Sequence, residues 1–258
     1  MMLLEVSNIS KTFGGVAALR DVNFGLDEGQ LLALIGPNGA GKSTCFNVLN
    51  GQLAPDSGSV RLAGAELVGL NSRQIWSLGV GRTFQVAAVY GSMTVIENVQ
   101  MALLSKGNGV LPIRHAAGKY FKKEALRLLE RVGMQEQAGR PSSYLAYGDV
   151  KRLELAMALA NDPKLLLMDE PTAGMAPKER HELMQLTSNL VRERNMSVLF
   201  TEHSMDVVFS YAHKLIVLSG GTVIAEGSAQ SIRDNQAVQQ AYFGSGKTFE
   251  AKADESDR

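Results

Sequence analysis

The stretch "QLLALIGPNGAGKST", residues 30 to 44, limits the possible folds more than any other part of the chain. Gly36 to Thr44 fits the spacing G-x-x-x-x-G-K-[ST]. The apolar run before it reads as a buried strand, and "KSTCFNVLN" after it reads as a helix closed by Gly51 in the left-handed conformation. Glycines let the backbone curl until successive N–H groups face one point, and the helix start adds its partial positive charge. This arrangement suits a phosphate chain. A lysine in this place can reach the β- and γ-phosphates of a nucleotide, and the following hydroxyl can ligate Mg²⁺. Gly36, Pro37, Asn38, Gly39, Ala40, Gly41, Lys42, Ser43 and Thr44 are therefore candidate nucleotide ligands, with Ser43 a candidate metal ligand.

Two further strands point toward the same chemistry. "KLLLMDEP" runs four apolar residues, Leu165 to Met168, into Asp169 and Glu170. Ligands of open α/β sheets bind at the carboxyl ends of strands, so Asp169 can orient Mg²⁺ and Glu170 can polarise an attacking water. "MSVLFTEH" ends at His203, placed to hydrogen-bond the γ-phosphate or hold that water. Read alone, the acidic pair is a common strand exit and the histidine is more often structural. Their shared position next to a phosphate loop is what raises them.

Apolar strands alternating with helical stretches such as "PKERHELMQLTSNLVRERN" indicate a parallel sheet covered on both faces. Earlier short strands, "LLEVSNIS", "VNFGL" and "SGSVRLAG", precede or interrupt this pattern. Residues 93 to 160 turn helical, and "YFKKEALRLLERVGM" puts Phe121, Ala125, Leu128, Leu129 and Val132 on one face. The last twelve residues, "KTFEAKADESDR", are charged and expected to be disordered. Lys plus Arg equals Asp plus Glu at 26 each, which leaves no basic excess for nucleic acid. One cysteine, Cys45, excludes an internal disulfide framework. No run approaches the roughly 18 apolar residues of a membrane helix, and "MMLLEVSNISK" does not read as a signal peptide. The chain is expected to be soluble or peripheral.

"GPNGAGKST", "GRTFQ", "LAYGD", "LLLMDEPTAG" and "FTEH" occur in the order and spacing of ATP-binding cassette ATPases, which the chain resembles over residues 3 to about 246. The resemblance implies an α/β fold of the P-loop NTPase class. It comprises a RecA-like core (residues 1–86 and 161–246) with a parallel sheet, an N-terminal antiparallel β subdomain and an inserted α-helical subdomain (87–160), followed by the tail, 247–258. Its cofactors would be ATP and Mg²⁺. Carried over by position, Phe13 matches the aromatic that stacks on adenine, with Val16 beside it. Gln85 matches the Mg²⁺-sensing glutamine that begins the surface facing membrane subunits, and "VAAVYGSMTVIENV" after it would continue that docking surface. Glu170 matches the general base, Lys42 the phosphate lysine and His203 the switch histidine.

"LAYGD" stands where the family carries Leu-Ser-Gly-Gly-Gln, the signature that closes over the γ-phosphate of a nucleotide held by a second copy. Here Leu145, Ala146, Tyr147, Gly148 and Asp149 keep one glycine and a helix N-terminus, which can offer backbone N–H groups to an anion. Gly148 is expected to leave room for that phosphate, and Asp149 to turn away toward Lys151, Arg152 or a free N–H of its own helix. The usual aspartate of the dimer-contacting loop is replaced by Ala176.

"LAYGDVKRLELA", "GVGRTFQ", "PTAGMAPKE" and "IRDNQAVQQAYFG" are similar to the ATP subunits of branched-chain amino acid importers. That likeness implies two integral-membrane permease subunits, a second ATPase subunit (homologous or identical) and an extracytoplasmic solute-binding protein. The chain would then sit on the cytoplasmic face of the plasma membrane, held by its membrane subunits. Cassettes of urea or amide uptake and of lipopolysaccharide export are alternatives, as is a soluble scaffold ATPase such as that of iron–sulfur cluster assembly. A nucleic-acid cassette usually has a second cassette or a long coiled-coil insertion, and neither is read here.

Overall fold

The computed structural model describes residues 1–85, 88–106 and 121–243. Strands β1 (Met2–Phe13) and β2 (Val16–Asp27) form an antiparallel hairpin whose two-residue turn is Gly14–Gly15. Both turn residues have positive φ, 51° and 85°, the geometry that matches the natural twist of a hairpin. The turn leaves Phe13 opposite Val16 at the tip. Strands β4 (Ser57–Leu62) and β5 (Ala65–Glu66) complete a four-stranded sheet of order β2-β1-β4-β5.

The second sheet has the order β10-β9-β3-β8-β7-β6. It contains β3 (Leu31–Ile35), β6 (Val80–Thr83), β7 (Leu165–Asp169), β8 (Ser197–Thr201) and β9 (Lys214–Ser219), all paired in parallel. The edge strand β10 (Thr222–Gly227) returns antiparallel on β9. The central strands are buried on both faces, and their alternation sends side chains into two cores. Leu31, Ala33 and Ile35 join Leu166, Met168, Val198 and Phe200 on the side of the helical layer. Leu32 and Leu34 join Leu165, Leu167 and Leu199 on the side of the first sheet and of α1 (Lys42–Leu49). Short α2 (Ser72–Ser77) leads into β6.

Helices α3 (Val95–Lys106), α4 (Lys122–Arg131) and α5 (Tyr147–Ala158) pack against the first of these cores, followed by α6 (Pro177–Arg194) and α7 (Met205–Tyr211). Ala125, Leu128, Leu129 and Val132 are buried, with Phe121 half-buried beside them. Helices α8 (Ala229–Arg233) and α9 (Gln236–Phe243) close the described chain. The expected disordered tail lies outside the described residues. No helix among the described residues is long and apolar enough to cross a membrane.

Strands β6 and β10 carry no clear sequence signal. Strand β6 is four residues containing Gly81 and Arg82, too short and too polar to alternate visibly. Strand β10 is a half-exposed edge.

Candidate functional site

The phosphate loop follows β3 at the carboxyl end of the parallel sheet, where Gly36 has φ 155° and Gly41 has φ 105°. A Cβ at Gly36 would fall 2.2 Å from the Leu218 carbonyl oxygen, and one at Gly41 would fall 2.5 Å from that of Ala18. Neither position tolerates a side chain, so the loop is pressed against β9 and β2. Its shape is fixed further by Ala40 N–H donating to Pro37 O (3.2 Å) and Gly221 N–H donating to Ala40 O (3.1 Å). Helix α1 then starts without a side-chain cap, leaving its first N–H groups available.

Lys42 is buried, and its ammonium donates to Gly36 O (2.6 Å) and Pro37 O (3.1 Å). Burial pulls its pKa below the ordinary lysine value, while the nearby Glu170 and Asp169 carboxylates act in the opposite direction. A cavity of about 210 Å³ is lined by Asn38, Gly39, Gly41, Lys42, Ser43 and Thr44 from the loop, and by Ala18, Ala40, Glu170 and His203. Ala18 had no sequence signal. Phe13 and Val16 stand exposed at the hairpin tip, 49% and 71% accessible, two strand positions from Ala18 in the case of Val16. Lys11 Nζ lies 5.6 Å from the centre of the Phe13 ring.

The carboxylates are held by the neighbouring strand. Thr201 Oγ1 donates to Asp169 Oδ1 (2.8 Å), and an Arg82 guanidinium nitrogen lies 3.5 Å from Asp169 Oδ2. Arg82 also donates to Asn47 and Gln52, with Phe84 against its face, so Asp169 is tied through Arg82 to α1. Burial works against the Arg82 charge, and Asp169 offsets it. Glu170 has φ 46°, a left-handed conformation that a non-glycine residue adopts at a cost of about 1–2 kcal/mol. Its N–H donates to both oxygens of Thr201, at 3.0 Å (Oγ1) and 3.2 Å (O).

The bend turns the Glu170 carboxylate into the cavity between two partners. Gln85 Nε2 donates to Oε2 (2.9 Å), and His203 Nε2 lies 2.9 Å from Oε1. Gln85, Glu170 and His203, 118 positions apart at the extremes, thus converge beside the phosphate loop. A carboxylate so held can accept a proton from a water positioned in the cavity. Among the described residues no group of three or more His, Cys, Asp or Glu side chains could hold a metal by itself. Ser43, Asp169 and Gln85 offer a hydroxyl, a carboxylate and an amide oxygen, a set that suits Mg²⁺ held jointly with nucleotide phosphates rather than by protein alone.

Leu145 to Asp149 do not line this cavity. Ala146 is exposed and forms the N-cap of α5, at φ −64° and ψ 154°, with no side-chain cap. Its carbonyl accepts the first helical bond, from Val150 N–H (3.0 Å). Tyr147 is 47% accessible, and its ring packs against Gly174 of the loop before α6. Gly148 is buried, and a Cβ there would meet Glu179 at 3.5 Å and Met175 at 3.6 Å. A methyl group at 148 would thus make ordinary contact with α6 and with the loop before it. Asp149 accepts from Gln137 Nε2 (3.1 Å), a residue of a short 3₁₀ turn. The two cations expected to face it are committed elsewhere, Lys151 to Glu154 and the loop after β6, and Arg152 to Glu182.

A second cavity, of about 420 Å³, opens between β6, α2, α3 and α5 and includes Trp76, Arg82, Phe84, Tyr90, Met101 and Glu154. Ala88 and Tyr90 line it, whereas Val95 and Val99 are fully buried core residues and Val86 and Ala87 lie outside the described residues. The stretch after Gln85 therefore divides into groove and core.

Known proteins agree with this geometry. Residues 19–173 match the profile of the ABC transporter family, and residues 222–248 match that of the branched-chain amino acid ATP-binding cassette transporter. The chain is 41% identical to the high-affinity branched-chain amino acid transport ATP-binding protein LivG of Salmonella typhimurium, over 94% of this chain and 98% of that protein. It superposes on a crystal structure of the ADP conformation of an ATP-binding cassette with a TM-score of 0.85, at 30% identity and covering 95% and 99% of the two chains. A dimeric cassette in a post-hydrolysis state, bound to ADP and Pi, gives 0.76 at 27% identity, covering 88% and 99%. The chain belongs to the ABC transporter family, as one of its ATP-binding cassettes, an ATPase.

Proposed function

We infer that this chain powers an importer of branched-chain amino acids, binding ATP between two cassettes and coupling its hydrolysis to separate permease subunits. The observation that carries the solute class is the likeness to LivG, which runs through 94% of the chain and is joined by the match of residues 222–248 to a branched-chain profile. In this reading Phe13 and Val16 form the adenine platform, and residues 36–44 cradle the phosphates. Ser43, Gln85 and Asp169 hold Mg²⁺, which when bound neutralises phosphate charge. Glu170 takes the proton of the attacking water, with His203 and Gln85 fixing its two oxygens. Leu145 to Asp149 serve the nucleotide of the other copy, which is consistent with their not lining their own chain's phosphate cavity.

The division into a core, residues 1–86 and 161–246, and a helical subdomain, 87–160, belongs to the same reading. The 420 Å³ groove lies where those two parts meet and would receive a segment of a permease. The chain would thus work at the cytoplasmic face of the plasma membrane, with a solute-binding protein acting on the far side. Capture of the tagged chain from detergent-solubilised membranes tests this. Two multi-span proteins and a cassette should co-purify. Recovery of soluble partners alone would instead favour a scaffold ATPase.

A further inference from the structure

Lys151 and Glu154 sit one turn inside α5, three residues apart and therefore on one face of the helix. Their side chains are only 2% and 5% accessible, with Lys151 Nζ 3.4 Å from Glu154 Oε2. Burying two charges is costly unless every donor and acceptor is used. Here all three hydrogens of the Lys151 ammonium have acceptors: Phe84 O (2.8 Å), Gln85 O (2.9 Å) and Glu154. Glu154 Oε1 in turn accepts from Phe84 N–H (2.7 Å). Burial raises the Glu154 pKa, and Lys151 with the Phe84 and Ala88 amides works against that rise. The pair is thus a fully bonded clamp between the signature helix and the backbone of the loop that carries Gln85.

The clamp has a neighbour at each end. The Tyr147 ring, in the signature itself, has its centre 5.8 Å from Lys151 Nζ and rests on Gly174. At the other end Gln85 Nε2 donates to Glu170 Oε2. A path of contacts and hydrogen bonds therefore leads from Tyr147 of the signature through Lys151 and the Gln85 backbone to the Glu170 carboxylate. We propose that Lys151 and Glu154 are positioning residues for hydrolysis. They fix the Gln85 loop to α5, so that phosphate engagement at the signature sets where Gln85 holds Glu170. The inference rests on the reading of Glu170 and the signature given above.

The test is a double-mutant cycle in the full chain, with steady-state ATPase and nucleotide affinity measured for Gln85→Ala, Lys151→Met and the double variant. Lys151→Met should lower kcat about tenfold. KM for ATP should stay put, because the phosphate loop is untouched. On the Gln85→Ala background Lys151→Met should change kcat by no more than about twofold, since its route to Glu170 is already cut. Lys151→Arg, which keeps donors for both carbonyls, should restore most of the rate. If Lys151→Met does not fold, Glu154→Gln takes its place in the same cycle, losing the charge while keeping an acceptor for Phe84 N–H. Losses that multiply in full across the cycle overturn this proposal alone. A Gln85→Ala variant that turns over at the parental rate overturns the reading of Gln85 as a holder of Glu170, and this proposal with it, whereas Glu170→Gln tests the base separately.

Discussion

Ala146 offers a perturbation that should move stability and activity in opposite directions. It is the exposed N-cap of α5, already in the extended conformation that capping residues adopt, and it has no side-chain oxygen to use there. Ala146→Asp supplies one, aimed at the N–H groups of Gly148 and Asp149. A new cap contributes about 1 kcal/mol, which in a chain of this size raises Tm by roughly 2–4 °C. Those are also the amides proposed to hold the γ-phosphate of the other copy's ATP. A carboxylate about 4 Å from that phosphate repels it by about 4 kcal/mol at an effective dielectric of 20, or roughly a thousandfold in rate. Ala146→Ser separates the two effects, because it caps the helix without charge and should keep its ATPase. The assay is thermal unfolding of the free chain beside ATPase at saturating ATP and protein. Ala146→Asp hydrolysing ATP at the parental rate would refute the placement of phosphate at these amides. A drop shared equally by Ser and Asp would show that capping itself is harmful, and the charge argument would fail.

Glu170→Gln keeps an oxygen and a nitrogen opposite His203 and Gln85, so it should bind ATP normally while turnover falls about 10²-fold or more; an unchanged rate would assign the base elsewhere. Glu170→Gly and Glu170→Ala both delete the carboxylate, but only glycine relieves the left-handed backbone, so denaturant unfolding should find Gly more stable than Ala by about 1 kcal/mol. Lys42→Met removes a buried ammonium whose pKa is depressed mainly by burial, so the nucleotide-free chain should unfold no earlier than the parent, while the ATP-induced rise in Tm disappears. The sign follows from linkage: with a folded pKa below the unfolded one, the parent gains stability as pH climbs toward the ordinary lysine value, and Lys42→Met should lack that gain.

The parts of the site that are plain in the sequence are those where backbone chemistry dictates residue type. Residues 36–44 must be glycine-rich because Gly36 and Gly41 touch neighbouring backbone, and Asp169 must follow an apolar run because β7 is buried. Phe13 and Gln85 are visible only through resemblance, since an aromatic near a hairpin and a glutamine after a short strand have many uses. Lys151 and Glu154 are not legible at all. In "DVKRLELA" Lys151 reads only as a partner for Asp149 and Glu154 carries no signal, and only folding against the loop after β6 buries them. Asp149 misleads for the same reason: its partner Gln137 comes from a distant turn, while the nearer Lys151 and Arg152 are drawn to other elements. Gly148 faces Met175 and Glu179 at ordinary contact distance, a packing that only the fold reveals.

The most direct test of the importer reading is solute uptake. The chain should be placed in proteoliposomes with its co-purified membrane subunits and binding protein, with ATP on the side of the cassettes. Labelled leucine, isoleucine or valine should accumulate only with ATP, and Glu170→Gln should stop both accumulation and phosphate release. Sustained hydrolysis with none of the three solutes moving would contradict the account.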